Sequence, residues 1–141
     1  MTNSLLYDLV NQMYQYRDEK EVAPKDKIFD AESKVIRELA DKGNCIIIGR
    51  CSDYVLRDDK RVLKVFFNAP IESRSKRVME RLGVEESEAR RRIRKEDKSR
   101  ADNYRYYTGR MWGASANFDL TINTDFGIDF IEKYINEALK V

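Results

Sequence analysis

Apolar residues recur along this chain at two different periods. In "SLLYDLVNQMYQY", Leu5, Leu6, Leu9, Val10, Met13 and Tyr14 fall at helical spacing behind Ser4, a favoured N-cap type, and predict an amphipathic helix. "RDEKEVAPKD" is charged, holds Pro24 and reads as a loop. "IFDAESKVIRELADKG" predicts a second helix with an inward stripe of Ala31, Val35, Ile36, Leu39 and Ala40, stopped by Gly43. The period then changes. "CIIIG" (45–49) is short, continuously apolar and β-branched, the pattern of a strand buried on both faces of a parallel sheet. "RVLKVFF" (61–67), interrupted by Lys64, and "FDLTI" (118–122) read as two more strands.

Helical patterns lie between and after these strands. "NAPIESRSKRVMERLG" has Pro70 near its start and Gly83 at its end. A long basic helix is predicted over 85–107. "GIDFIEKYINEALK" is expected to bury Ile128, Ile131, Tyr134, Ile135, Ala138 and Leu139. Helix and strand alternate, so the predicted fold class is α/β, a parallel sheet flanked by helices.

Composition narrows the chemistry. The 141 residues suit one domain, 1–141, and are 42% hydrophobic and 37% charged. No apolar run approaches the ~20 residues of a membrane span. The N-terminus "MTNSLLYDLVNQMYQ" has neither the basic leader nor the continuous apolar core of a signal peptide. Cys45 and Cys51 do not make a disulfide framework, and a chain without histidine offers no zinc site. A reduced, cytoplasmic protein without a metal of its own is expected. The missing histidine also disfavours Ser-His hydrolases, leaving Asp, Glu, Lys, Arg, Tyr or a bound metal held by oxygen to carry any chemistry.

Charge is distributed unevenly. Residues 90–110 carry nine Lys/Arg against three Asp/Glu, whereas residues 111–141 carry two against five. Such a basic island points to a local anion site more than to a whole nucleic-acid-binding face. On a helix, Ala89, Ile93, Asp97, Arg100, Tyr104 and Tyr107 form one stripe, apolar first and then charged. Two readings of it stand: an Asp97–Arg100 pair that fixes the helix, or an Arg100 that faces a ligand anion while Asp97 orients it. Tyr104 and Tyr107 share this inward stripe and so are not displayed for stacking on nucleic-acid bases.

Other candidates lie at predicted strand ends, where open α/β sheets bind ligands. Arg50 follows "CIIIG" and is placed either to hold a phosphate or to pair with Asp53. Arg74 and Arg77 stand in the first turns of the helix after the second strand. Asn123 and Thr124 follow the third strand, where they either contact a base or make a turn. Cys51 reads as a packing residue.

At "CIIIGRCSDYVLRD", "EDKSRADNYRYYTGRMWG" and "FDLTINTDFGID" the chain resembles the cytidylate kinase-like family of P-loop nucleoside monophosphate kinase relatives. The likeness runs from about residue 25 to residue 130. It implies a P-loop kinase-like α/β fold with a helical lid at about 85–113. It implies phosphoryl transfer from ATP with Mg2+ to a nucleoside monophosphate or a similar small acceptor, by positioning and charge neutralisation. Carried over by position, Arg50 would bind the acceptor's phosphate, Lys98, Arg100 and Arg105 of the lid would grip phosphates with Asp97 supporting them, and Asn123 and Thr124 would lie near the donor's base. Asp53, Arg105 and Tyr107 are also candidates for the acceptor, Asp97, Lys98 and Arg100 for the catalytic role, and Arg74 and Arg77 for the donor nucleotide. The chain departs from the family in having no GxxxxGK[ST] or other glycine-rich loop. The expected fold is therefore truncated, with first strand and P-loop absent, and turnover is expected to be impaired. The alternative is a non-catalytic nucleotide-binding or oligomerising module, and an exposed sheet edge would suit a homodimer.

Overall fold

A computed structural model describes residues 23–141; the helix expected at residues 4–16 lies outside the described residues. They fall into two compact units, one ending at Leu56 and one running Arg57–Val141.

In the first unit, α1 spans Pro24–Lys42. Pro24, expected in a loop, instead opens the helix, where its missing N–H leaves no bond unmade. Gly43 ends α1 at φ +72°. The buried face also differs from the predicted stripe. Ser33 and Ile36 are buried, while Ala31, Val35 and Leu39 are exposed. The face is set by the short helix α2, Ser52–Val55, on which α1 packs. Val55 and Leu56 complete this small core.

The expected "CIIIG" strand is not one. Residues 45–48 run without regular secondary structure, and Ile46 and Ile48 are 92% and 87% exposed. A strand exists only through its ladder, and this stretch pairs with no other strand among the described residues.

The second unit holds a two-stranded parallel sheet. Strand β1, Val65–Asn68, pairs with β2, Leu120–Asn123, in the register Val65↔Leu120 to Asn68↔Asn123. Lys64, the odd charge in its apolar run, sits just before β1. Its N–H donates to Asp119 Oδ2 at 2.7 Å and its ammonium lies 3.3 Å from the same oxygen. The pair pins the start of the ladder.

Between the strands run α3, Ile71–Leu82, and α4, Glu86–Thr108, which pack on each other. Their contact face buries small residues, Ser75 on α3 and Ala89 on α4, together with Ile93. The Ser75 hydroxyl donates to the Ile71 carbonyl at 2.7 Å, so its burial leaves no polar group unmet. Gly109 caps α4 in the left-handed region, its N–H donating to the Arg105 carbonyl.

Helix α5, Ile128–Ala138, closes the chain. Of the six residues expected to be buried only Ile131 is; Ile128, Tyr134 and Leu139 are exposed and Ile135 and Ala138 are half-buried. A sheet of two strands presents too narrow a face to cover the helix. Phe126, Phe130 and Tyr134 instead stack on one another, with ring centroids 4.8 and 4.6 Å apart. The mixed helix–strand architecture with its parallel sheet, among the described residues, fits the expected kinase-like α/β fold class.

Candidate functional site

The second unit contains a crevice of about 490 Å³ at the carboxyl ends of β1 and β2. Asn68 and Thr124 mark the strand ends, and α3 and α4 supply Arg74, Arg77, Asp97 and Arg100. Three guanidinium groups against one carboxylate make it an anion site in outline. A smaller cleft of about 320 Å³ lies at the amino ends of the strands. Its lining includes the Lys64–Asp119 and Arg57–Asp58 pairs, so the charges there largely answer one another.

The crevice is built by local folding. Pro70 starts α3 directly after β1, so Arg74 projects from the first turns of that helix. The stripe predicted on α4 is present: Ala89, Ile93 and Tyr104 are buried, and Asp97 and Tyr107 are half-buried. Arg100 is the exception, an exposed side chain at the rim.

The Asp97 carboxylate takes its short bonds from α3, not from its own helix. Arg74 NH1 and NH2 donate to Asp97 Oδ2 and Oδ1 at 2.6 and 2.7 Å, a bidentate fork. Arg100 stands 3.5 Å from Asp97 Oδ1. The Arg74 guanidinium is held further toward its charged form by these Asp97 bonds, against the opposing effect of partial burial. Arg77 NH1 donates to the Thr124 hydroxyl at 3.1 Å, tying α3 to the end of β2. The Asn123 side chain accepts from the Asp125 N–H, and Asp125 in turn accepts from the Ser73 hydroxyl at 2.6 Å. Asn123 therefore shapes the turn beyond β2.

The aromatic wall was not found from the sequence. Phe66 meets Trp112 edge-on at 5.5 Å and Phe118 at 5.0 Å. Gly113, at φ +74°, lies so close that a Cβ there would stand 3.0 Å from Phe66 Cζ. The available signal was the single glycine after the chain's sole tryptophan, in "RMWG".

Other expected site residues lie elsewhere. Lys98 pairs with Asp102 on the exposed side of α4. Arg105 is exposed, and the Tyr107 ring packs edge-on against Tyr106; neither lines the crevice. Arg50 and Asp53 belong to the first unit. Arg50 pairs with Glu32 at 3.1 Å and sits in a run of left-handed residues, Gly49, Arg50 and Cys51, at φ +71°, +56° and +54°. Each non-glycine residue there costs about 1 kcal/mol. The Ser52 N–H closes the turn onto the Gly49 carbonyl at 3.0 Å. Burial pushes the Cys51 thiol up to about 11, with help from the carboxylates of Asp53 and Glu32. It is no nucleophile at neutral pH.

Magnesium, expected from the resemblance, would enter with the nucleotide's phosphates and need few side-chain oxygens. No group of three His, Cys, Asp or Glu able to hold a metal occurs among the described residues. The crevice's own carboxylate is already engaged by Arg74. No helix among them is long and apolar enough to cross a membrane.

Comparison with known proteins gives this geometry a context. A cytidylate kinase from Methanopyrus kandleri is 34% identical over 96 residues, covering 62% of this chain and 50% of that protein. One from Methanoculleus marisnigri is 29% identical over 115 residues, covering 81% of this chain and 61% of the other. The chain thus spans about half to three-fifths of the curated relatives it matches. The crystal structure of an uncharacterized protein from Eubacterium ventriosum superposes with a TM-score of 0.74 at 30% identity, covering 96% of this chain and 82% of that one. The model of the cytidylate kinase-like family matches residues 1–126, and the chain belongs to that family.

Proposed function

We propose that this chain carries the phosphate-gripping part of a cytidylate kinase-like phosphotransferase. The reaction is transfer of the terminal phosphoryl group of a nucleoside triphosphate to a nucleoside monophosphate or similar small acceptor. An acceptor phosphate oxygen attacks the terminal phosphorus as the bond to the bridging oxygen breaks. A dianionic acceptor needs no general base, which agrees with a chain lacking histidine. The observation that carries the reading is the convergence of Arg74, Arg77 and Arg100 at the carboxyl ends of two parallel strands. Such groups neutralise charge spread over phosphoryl oxygens. Arg50, in its strained turn, is proposed as the acceptor's phosphate ligand, since non-glycine residues in unfavourable backbone regions cluster at functional sites.

The 141 residues hold no glycine-rich phosphate loop, which favours a second reading for this chain taken alone: nucleotide binding without turnover. A coupled assay of nucleotide consumption separates the two. A normal rate from these residues would overturn the expectation of impairment. Calorimetry with nucleoside mono- and triphosphates tests the shared premise. Binding that weakens about tenfold or more in Arg100→Ala and Arg77→Ala supports it. Heats unchanged in both variants would sink it.

A further inference from the structure

On the reading that the crevice binds phosphate, we propose that Asp97 is its resident anion. Its carboxylate occupies the fork of Arg74, and a ligand phosphate enters by exchanging with it. The observation is the direction of the pairing. A residue that merely oriented Arg100 would make its best bonds along its own helix. Asp97 instead reaches across to α3 and fills both donors of Arg74 at 2.6 and 2.7 Å, while Arg100 stays at 3.5 Å. Carboxylate and phosphate accept from guanidinium in the same planar, bidentate manner. The two therefore compete for one fork.

The competitor is strong because it is tethered. A side chain fixed on α4 meets Arg74 at a high effective concentration, which a dissolved monoanion does not match. An incoming ligand must gain contacts that Asp97 lacks. Arg77, whose hydrogen bond goes to the neutral Thr124 hydroxyl, and Arg100 at the rim supply them. A polyphosphate offers one phosphate for the Arg74 fork and further oxygens for the other two arginines lining the same crevice, so it is the ligand class best suited to the exchange.

The exchange also has a mechanical side. Arg74 belongs to α3 and Asp97 to α4, so this pair latches the two helices that flank the crevice. Replacing the carboxylate with a ligand phosphate substitutes a ligand-borne bridge for the protein's own.

The test is calorimetry with sodium tripolyphosphate, which carries no nucleoside, at fixed ionic strength. Asp97→Asn should bind it about tenfold tighter than the wild type, the worth of a charged hydrogen-bonded pair discounted for partial exposure. Asp125→Asn removes a carboxylate that does not touch Arg74 and should gain threefold or less. In an Arg74→Gln background the gain from Asp97→Asn should shrink to threefold or less, because the contested fork is gone. Weaker binding by Asp97→Asn would show that Asp97 supports the arginines and would overturn the exchange. A gain undiminished in the Arg74→Gln background would overturn it too, reducing the effect to general charge. If Asp97→Asn loses its helical circular dichroism, Asp97→Ser carries the same comparison. Failure of the functional reading looks different. A nucleoside triphosphate would then bind no better than tripolyphosphate, while the dependence on Asp97 and Arg74 persisted.

Discussion

Two stretches of this chain carry much of its apolar patterning, and they end in opposite conditions. The α3–α4 pair seals Ser75, Ala89 and Ile93 away from water and latches Arg74 to Asp97. Residues 45–49 hold three consecutive isoleucines, two of them almost wholly exposed. The difference lies in where each finds its hydrogen bonds. A helix satisfies its backbone within itself and needs a neighbour only for one face. A strand satisfies nothing alone. Site residues in the helical pair are placed by the chain's own packing, whereas Arg50, next to the isoleucine run, is placed by a strained turn and one ion pair to Glu32.

The largest expected effect tests this contrast directly. Ile93→Ala empties a buried position in the helix pair and should cost about 3 kcal/mol, read as a lower urea midpoint. Ile46→Ala, at a position 92% exposed, should change stability by less than about 0.5 kcal/mol. Equal costs would break the comparison and would mean that residues 45–49 are covered in solution.

The same contrast explains what was legible in the sequence. The stripe on α4 was readable because helical period alone brings residues 89, 93, 97, 104 and 107 to one face. The α/β pattern also led to an expected crevice at strand ends marked by Arg50, but residues 45–49 form no strand, and the crevice found lies at the ends of β1 and β2 without Arg50. The partner of Asp97 was not readable. Arg74 lies 23 residues away on another helix, and only the packing angle of α3 on α4 brings them together. The burial expected of α5 failed because periodicity reveals which face is apolar but not whether anything covers it. The "CIIIG" strand failed for the same reason, since its apolar pattern presumed a ladder.

Gly113→Ala should rank next. The residue is at φ +74°, and a methyl group would stand 3.0 Å from the Phe66 ring. The left-handed backbone costs about 1 kcal/mol, and moving Phe66 away from Trp112 and Phe118 adds a comparable amount. A loss of about 2 kcal/mol with a shifted Trp112 emission would place this glycine in the crevice wall. An unchanged spectrum would count against that wall being packed as described.

Thiol chemistry sharpens the picture of the first unit at smaller energetic cost. Cys45 opens the isoleucine run and is exposed, while Cys51 is half-buried with its thiol raised to about 11. At pH 8 only roughly one Cys51 thiol in a thousand is ionised. Iodoacetamide followed by peptide mass spectrometry should label Cys45 at least tenfold faster than Cys51. Slow labelling of both would mean that something shields the run.

The smallest effect belongs to the start of α4. Glu88 accepts from Arg91 Nε and NH2 at 2.7 and 2.8 Å and from Arg92 Nε at 2.7 Å. Those bonds, Arg91's first and Arg92's next, hold its carboxyl at about 2 against an ordinary 4.5. A carboxyl depressed in the folded state stabilises fully above its unfolded value, and the contribution disappears as protons bind. The Glu88 contribution is thus complete above about pH 4.5 and is lost as the pH falls toward 2. Glu88→Gln should lower stability slightly at neutral pH, and the difference from the wild type should vanish as the pH falls toward 2, which flattens the acid limb of the variant's stability curve in that window. The group is solvent-accessible, so added salt should shrink the difference. A carboxyl titration by NMR with a midpoint near 4.5 would show that the first turn of α4 frays in solution. The well-satisfied region would then begin at Ala89 and Ile93, where burial takes over from charge.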